Sequence, residues 1–108
     1  MKTLYSSLFI LLIAIQVYAQ DSDELILLQA KADNYYNQGN YSNAIIVFED
    51  LLAEQETAYG KDDIRVGETL NRLGEMYSIM GMPDIADYYF QQAILIFKNS
   101  FQSEKNAL

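Results

Sequence analysis

The sequence predicts an all-α protein that consists of two stacked antiparallel helical hairpins, four helices in total, after a removable N-terminal segment. Beyond residue 20, apolar residues recur at steps of three and four, which is the spacing of one face of a helix. The chain also aligns on itself with a shift of 42 residues, which takes Tyr35 to Tyr77 and Gly39 to Gly81. The matched positions are apolar or glycine, so the repeat indicates two copies of one packing unit.

Residues 1–19 have the layout of a secretory signal peptide. A basic start at Lys2 precedes the apolar run Leu8–Ile15, and the small residues Val17 and Ala19 stand where a signal peptidase needs them. The alternative is an uncleaved membrane anchor, but the run is shorter than the roughly 20 apolar residues of a spanning helix. We therefore expect cleavage after Ala19 and no stable membrane span. A cysteine-free exported chain suits the bacterial periplasm, envelope or medium better than a eukaryotic secretory route.

The remaining residues, 20–108, form the predicted repeat domain, with units at about 25–60 and 63–101. The predicted helices span about 22–37, 42–59, 63–80 and 84–99. Gly39, Gly60 and Gly81 are expected to end the first three helices, since glycine is the commonest residue just past a helix C-terminus. Pro83 stands where a proline is tolerated in the first turn of the fourth helix.

Polar residues indicate where the helices begin. Asp21 with Glu24 resembles a capping box for the first helix, Ser42 is a candidate cap for the second, and Asp62 or Asp63 for the third. These assignments place each candidate cap just before an apolar helical stripe.

Small and aromatic residues mark the positions where paired helices approach each other. They are Ala32, Tyr35, Gly39, Ala44 and Phe48 in the first unit, and Gly74, Tyr77, Gly81, Ala86, Phe90 and Ala93 in the second. This pattern resembles the tetratricopeptide repeat, with departures at Leu51, Pro83 and Lys98. The 42-residue period, longer than the common repeat of about 34, resembles the long repeats of kinesin light chains and bacterial signalling proteins.

The resemblance implies a protein-binding scaffold in which the first helix of each hairpin lines a concave groove. The matching groove positions are Gln29, Asp33, Tyr36, Asn37, Asn71, Glu75 and Ser78. None of them is basic, so Asp33 and Glu75 favour a neutral or cationic peptide, with Tyr36 as an aromatic anchor. The alternative is that these are ordinary solvated residues of a helix surface.

Composition argues against several other functions. The chain has 15 acidic and 7 basic residues and a net charge of −8, which disfavours a nucleic-acid partner. It has no Cys and no His, which excludes a thiolate nucleophile, a zinc finger and a Ser-His-Asp triad. We expect no catalytic activity, no cofactor and no bound metal.

The C-terminal residues suggest how the chain continues. Residues 99–105 repeat the layout of residues 57–63, the connector before the second hairpin. This pattern predicts further repeats beyond Leu108, and the alternative is a two-repeat protein that self-associates through its last helix. The expected function is an exported interaction scaffold, with the N-terminal sensory or recruiting arm of a larger signalling protein or protease as the alternative.

Overall fold

A computed structural model describes the backbone of residues 2–107 and the side chains of residues 5–15 and 23–107. The helices are α1 (Lys2–Asn37), α2 (Tyr41–Tyr59), α3 (Ile64–Ile79) and α4 (Pro83–Ala107). Each helix packs on the next one along the chain, whereas the backbones of α1 and α3 stay apart. No strand occurs in the described residues, so the predicted all-α class is confirmed.

The helix boundaries differ from the prediction at both ends of the chain. α2 and α3 begin and end within one residue of the expected positions, but α1 begins at Lys2 and α4 continues to Ala107. The predicted start of the first helix near residue 22 and the predicted end of the fourth near residue 99 are therefore wrong. Neither glycine nor proline interrupts residues 2–37, so nothing in that sequence ends the helix between its apolar start and the repeat.

The predicted cleavage site at Val17 and Ala19 concerns residues outside those with described side chains. The prediction that a capping box at Asp21 starts the first helix is wrong, because the α1 backbone is already helical there. Among the described residues, no helix combines the length and the apolar character needed to cross a bilayer.

Glycines end the first helix of each hairpin in the same way. Gly39 and Gly81 have φ angles of +72° and +78°, which cost a glycine little because it has no Cβ. The next residue then donates its backbone N–H to a carbonyl five positions back, from Asn40 to Tyr35 at 3.0 Å and from Met82 to Tyr77 at 2.9 Å. The 42-residue sequence repeat is therefore also a repeat of backbone geometry at these turns.

The N-caps agree with prediction at α3 and differ at α2. The Asp63 carboxylate accepts a hydrogen bond from the backbone N–H of Arg65 at 2.9 Å, as expected of a cap. At α2 the cap is Asn40, which accepts from the backbone of Asn43 at 3.5 Å, so the assignment to Ser42 is wrong. The turn at Gly39 is short enough for α2 to begin at Tyr41, which puts Ser42 inside the first helical turn.

The core runs along the line of helices in two clusters. The first joins α1, α2 and α3 and contains Ala32, Ala44, Phe48, Leu73 and Met76, all essentially inaccessible to solvent. The second joins α3 and α4 through Val66, Leu70, Ala93 and Ile96. Of the predicted packing positions, Ala32, Ala44, Phe48, Gly74, Ala86 and Ala93 are buried, Tyr35, Tyr77 and Phe90 are half-buried, and Gly39 and Gly81 lie in exposed turns.

Two glycines allow α4 to lie close against α3. A Cβ at Gly74 would lie 2.6 Å from a ring carbon of Phe90, and a Cβ at Gly67 would lie 2.9 Å from a ring carbon of Phe97. Both distances are shorter than any ordinary carbon contact, so alanine at either position would force the phenylalanine ring or the helix to shift.

A tyrosine pair ties three helices together on the other side of the molecule. The rings of Tyr77 and Tyr89 stack with centroids 5.5 Å apart, and their hydroxyls donate to Glu49 at 3.0 Å and 3.4 Å. Desolvation, followed by the hydrogen bond to the Glu49 carboxylate, raises the pKa of Tyr77 to about 12. The pKa of Tyr89 is raised for the same reasons.

Candidate functional site

An open groove of about 850 Å³ lies between α1 and α3. Because the backbones of these two helices do not touch, α2 forms the floor, through Phe48, Leu51 and Gln55. Tyr36 bridges the two walls at one end, where its hydroxyl donates to Glu75 at 3.3 Å. The result is a shallow channel with helical walls and a floor that is apolar except for one amide.

Four of the seven predicted groove residues line this channel. Gln29 and Asp33 lie on the α1 wall, and Asn71 and Glu75 lie on the α3 wall. Tyr36 touches the channel through its bond to Glu75. The structure does not bring the other two residues, Asn37 and Ser78, into the lining, and both are exposed.

Glu75 is the centre of a network on the α3 wall. Its carboxylate accepts hydrogen bonds from Tyr36 at 3.3 Å, from the Asn71 amide at 3.2 Å and from Arg72 at 3.3 Å. The Arg72 guanidinium also lies over the Tyr36 ring, 4.7 Å from its centroid. Glu75 is therefore already paired with a cation, which weakens its attraction for a second positive charge.

Asp33 is in a different situation on the opposite wall. Its carboxylate accepts a hydrogen bond from the neutral amide of Gln29 at 3.0 Å, and the side chain is exposed. This bond orients the carboxylate without neutralising it. Asp33 therefore remains a negative charge on the α1 side of the channel.

Basic residues also line the groove, although none of the predicted groove positions is basic. Arg65 and Arg72 join Asp33, Glu68 and Glu75, so three carboxylates face two guanidinium groups. Arg65 is held by Asp63 at 2.8 Å, and its guanidinium lies 3.4 Å from the centroid of the Tyr59 ring. The groove is thus closer to electrical balance than the predicted positions alone indicate.

The Arg65 contact also affects its acidic partner. The side-chain hydrogen bond from Arg65, together with its backbone N–H, lowers the pKa of Asp63 to about 2. Asp63 therefore stays ionised through the whole neutral range, both as the cap of α3 and as the anchor of Arg65.

Gln55 is the groove residue that the sequence analysis missed. Its side chain is only 6% exposed, and its Oε1 accepts a hydrogen bond of 2.6 Å from the buried hydroxyl of Thr69. The Thr69 oxygen also lies 3.2 Å from the carbonyl of Arg65, which fixes its position. The Gln55 Nε2 has no hydrogen-bond partner among the described residues and lies on the groove floor. The sequence signal is a lone amide four residues after Leu51 in an apolar helical stripe.

A tetratricopeptide repeat family model matches residues 23–99, which is most of the chain. The chain belongs to this family. Tetratricopeptide repeats generally mediate protein–protein interaction, and the matched region contains both core clusters and every residue that lines the groove. No curated protein sequence matches the chain.

The three departures from the usual repeat pattern are accommodated within this tetratricopeptide structure. Leu51 is buried in the first core cluster, Pro83 occupies the first position of α4, and Lys98 is exposed on the surface of α4. None of them interrupts a helix or the packing between neighbouring helices.

Proposed function

We propose that this tetratricopeptide repeat chain is an exported interaction scaffold that holds an extended peptide segment of a partner in the groove between α1 and α3. The observation that carries the proposal is the Gln55 amide, which is buried on the groove floor with its Oε1 occupied by Thr69. No side-chain donor or acceptor of the described residues is both buried and unpaired, so the Gln55 Nε2 reaches the solvent of the groove, where a ligand acceptor can take the place of water.

The chemistry of the floor suits a peptide backbone. The Thr69 hydroxyl fixes the orientation of the Gln55 amide, so the Nε2 protons are available for a peptide carbonyl. Ile26 on the α1 wall lines the groove and is 63% exposed, so it offers an apolar surface to one ligand side chain. A peptide group with a neighbouring apolar side chain matches this combination of one donor in an apolar floor.

The charges on the two walls favour a neutral or cationic segment. Asp33 and Glu68 are carboxylates of the lining without a salt bridge among the described residues, whereas Glu75 is paired with Arg72. A basic ligand residue near Asp33 would gain from this negative charge chiefly in its rate of association. Tyr36 lies at the end of the channel, where its hydroxyl donates to Glu75 and its ring packs against Tyr41.

We also propose that the repeats are of the long type found in kinesin light chains, because their period is 42 residues. The connection between the hairpins is short, and α2 has 19 residues. At about 1.5 Å per residue, a helix of this length gives the groove a long floor, which suits an extended segment.

A phage-displayed library of short unstructured peptides, selected on the full chain, tests groove binding. We expect enrichment of neutral and basic sequences whose binding is lost in Gln55→Leu and weakened in Asp33→Lys. Asp50→Lys is the matched control, because Asp50 is an exposed carboxylate of α2 outside the groove. Enrichment that survives Gln55→Leu and Asp33→Lys as well as it survives Asp50→Lys would contradict the proposal.

Export is a separate part of the proposal. The described side chains of residues 5–15 are all exposed and belong to neither core cluster, so loss of this segment would leave the repeat core intact. N-terminal mass spectrometry of envelope and medium fractions should find a chain that begins at Gln20. Recovery only of a chain that begins at Met1, in the cytoplasm, would refute export.

A further inference from the structure

The face of α2 that α3 covers has an equivalent on α4. The α2 side chains that meet α3 are Glu49, Leu52, Gln55 and Tyr59. Each of them has a direct contact there: for example, Gln55 accepts a hydrogen bond from Thr69, and Tyr59 lies under the guanidinium of Arg65. These contacts show what a covering helix supplies to this face in the first repeat.

The residues 42 positions further on form the corresponding stripe of α4. They are Gln91, Ile94, Phe97 and Phe101. Phe97 is half-buried against α3, but Ile94 is 57% exposed and Phe101 is 67% exposed. Within the described residues, α4 therefore has two large apolar side chains at positions that α3 protects on α2.

The opposite end of the molecule does not offer a matching surface. On α3, Leu73 and Met76 face α2 and are fully buried. The equivalent residues of α1 are Lys31 and Asn34, which are both exposed, while Leu27, the equivalent of Thr69, adds one exposed apolar side chain. Head-to-tail stacking of copies would press the apolar stripe of α4 onto this mostly polar face, so an open chain of copies is disfavoured.

The path of α4 differs from that of α2 at the point where α2 ends. α2 stops at Tyr59, before Gly60, whereas the equivalent position after Phe101 is Gln102, and α4 remains helical to Ala107. The connector that the sequence predicts at residues 99–105 does not form. Within the described residues, α4 therefore runs past the position at which α2 gives way to the turn before α3.

The charges along the stripe favour pairing with a second α4 that runs antiparallel to the first. Asp84 and Asp87 lie near the start of α4, and Lys98 and Lys105 lie near its end, where Glu104 is the adjacent acidic residue. Residues 84, 91, 98 and 105 are seven apart, so they lie on one side of the helix. An antiparallel second α4 with Ile94 near the twofold axis brings Lys105 of each copy towards Asp84 of the other, whereas a parallel one brings like charges together.

We propose that α4 pairs antiparallel with α4 of a second copy of this chain, with the two Ile94 side chains in contact at the twofold axis, Phe101 of each copy beside Asp87 of the other, and the Asp84 and Lys105 charges at the two ends. The symmetric arrangement uses the same surface on both copies, so the assembly closes as a dimer and no third copy can bind through that surface. It leaves the groove between α1 and α3 open, so the pairing does not depend on peptide binding.

Disulfide trapping in the full chain tests the pairing directly. The sequence has no cysteine, so Ile94→Cys introduces the only thiol, and two such thiols meet at the twofold axis. The matched control is Ile46→Cys, because Ile46 is 59% exposed on α2 and lies away from the stripe. Both variants keep the exposed apolar residues 8–15, so non-specific association through that segment affects them equally.

On mild oxidation we expect a covalent dimer from Ile94→Cys and monomer from Ile46→Cys. In sedimentation experiments without the cysteines, Asp84→Lys or Lys105→Asp should each weaken the dimer by roughly tenfold, and the double variant should restore it. Equal trapping of the two cysteine variants would overturn the pairing. Trapping at Ile94→Cys without rescue in the double charge variant would overturn the antiparallel orientation.

Discussion

The two hairpins build the same helix contact with different residues. In the first, made of α1 and α2, Ala32 lies opposite Phe48, and both are inaccessible to solvent. In the second, made of α3 and α4, the equivalent pair is Gly74 and Phe90, with the Phe90 ring against the glycine backbone and half-exposed. α2 is covered by two helices and α4 by one. The phenylalanine at the equivalent position therefore contributes differently to stability in the two repeats.

A second pair of equivalent positions differs in chemistry as well as in size. The second hairpin has Gly67 against Phe97, whereas the first has Leu25 and Gln55 at these positions. A large residue faces a small one in the second hairpin, and two residues of intermediate size replace them in the first. The exchange gives the first hairpin a polar group on the groove floor, and the second hairpin an aromatic ring that fixes α4 on α3.

The largest expected effect comes from removing the two equivalent phenylalanines. Phe48→Ala should cost about 3 to 5 kcal/mol of unfolding free energy, because the ring is completely buried between three helices. Phe90→Ala should cost clearly less, because its ring is half-exposed. Urea denaturation followed by circular dichroism measures both. Equal losses would mean that α4 is covered as completely as α2.

A smaller effect is expected from filling the close approach at Gly74. Gly74→Ala places a methyl group where the Phe90 ring lies, and we expect a loss of about 1 to 3 kcal/mol despite the better helix propensity of alanine. Ser78→Ala on the exposed side of the same helix is the control and should be neutral or slightly stabilising. If Gly74→Ala stabilises the chain in thermal melts, the helices are further apart than described.

The two N-caps provide a third comparison. Asp63→Ala should cost about 1 kcal/mol, and Asn40→Ala should cost less, because its capping bond is 3.5 Å rather than 2.9 Å. The pKa of Asp63 is lowered to about 2, so its contribution is present above pH 4 and is lost as the pH falls from about 4 to about 2. Denaturation at pH 7 and at pH 2 checks both statements, since the difference between Asp63→Ala and the wild type should be clearly smaller at pH 2.

The smallest effect at neutral pH belongs to the tyrosine pair. Because the pKa of Tyr77 is raised to about 12, its contribution to stability is complete below pH 10 and is lost as the pH rises towards 12. In an absorption titration, Tyr77→Phe should remove one tyrosine that ionises near pH 12. The variant should also lose less unfolding free energy than the wild type as the pH rises from 10 to 12. Tyr5→Phe, at an exposed position, is the control. An ionisation near pH 12 that persists in Tyr77→Phe would belong to another tyrosine.

Periodicity and glycine placement predicted most of this fold. Gly39 and Gly81 adopt the positive φ angles that end α1 and α3, and the burial of Ala44 and Ala86 follows their place in the repeat. The start of α1 was not predictable, because the segment before residue 22 was interpreted by its export pattern and not by its helix propensity. The length of α4 was not predicted, because residues 99–105 resemble the connector at residues 57–63. The glycine that ends α2 at position 60 has no counterpart at position 102, so α4 continues.

The groove was predicted in part, for an identifiable reason. Gln29, Asp33, Asn71 and Glu75 follow from helix spacing on the first helix of each hairpin. Gln55 and Arg65 depend on how α2 and α3 cross, which one sequence does not specify, since periodicity assigns a face but not the helix that lies opposite. The network around Glu75 needs Tyr36 from α1, so it is a tertiary feature.

The central claim is that the groove between α1 and α3 binds a peptide through the amide on its floor. Nuclear magnetic resonance of the labelled chain, titrated with a peptide selected on it, tests this claim most directly. We predict that the side-chain amide signals of Gln55 and the backbone signals of Thr69 and Asn71 move on binding, while the signal of Ile46 on the outer surface of α2 stays in place. Saturable binding that moves Ile46 and leaves the Gln55 amide unchanged would contradict the account.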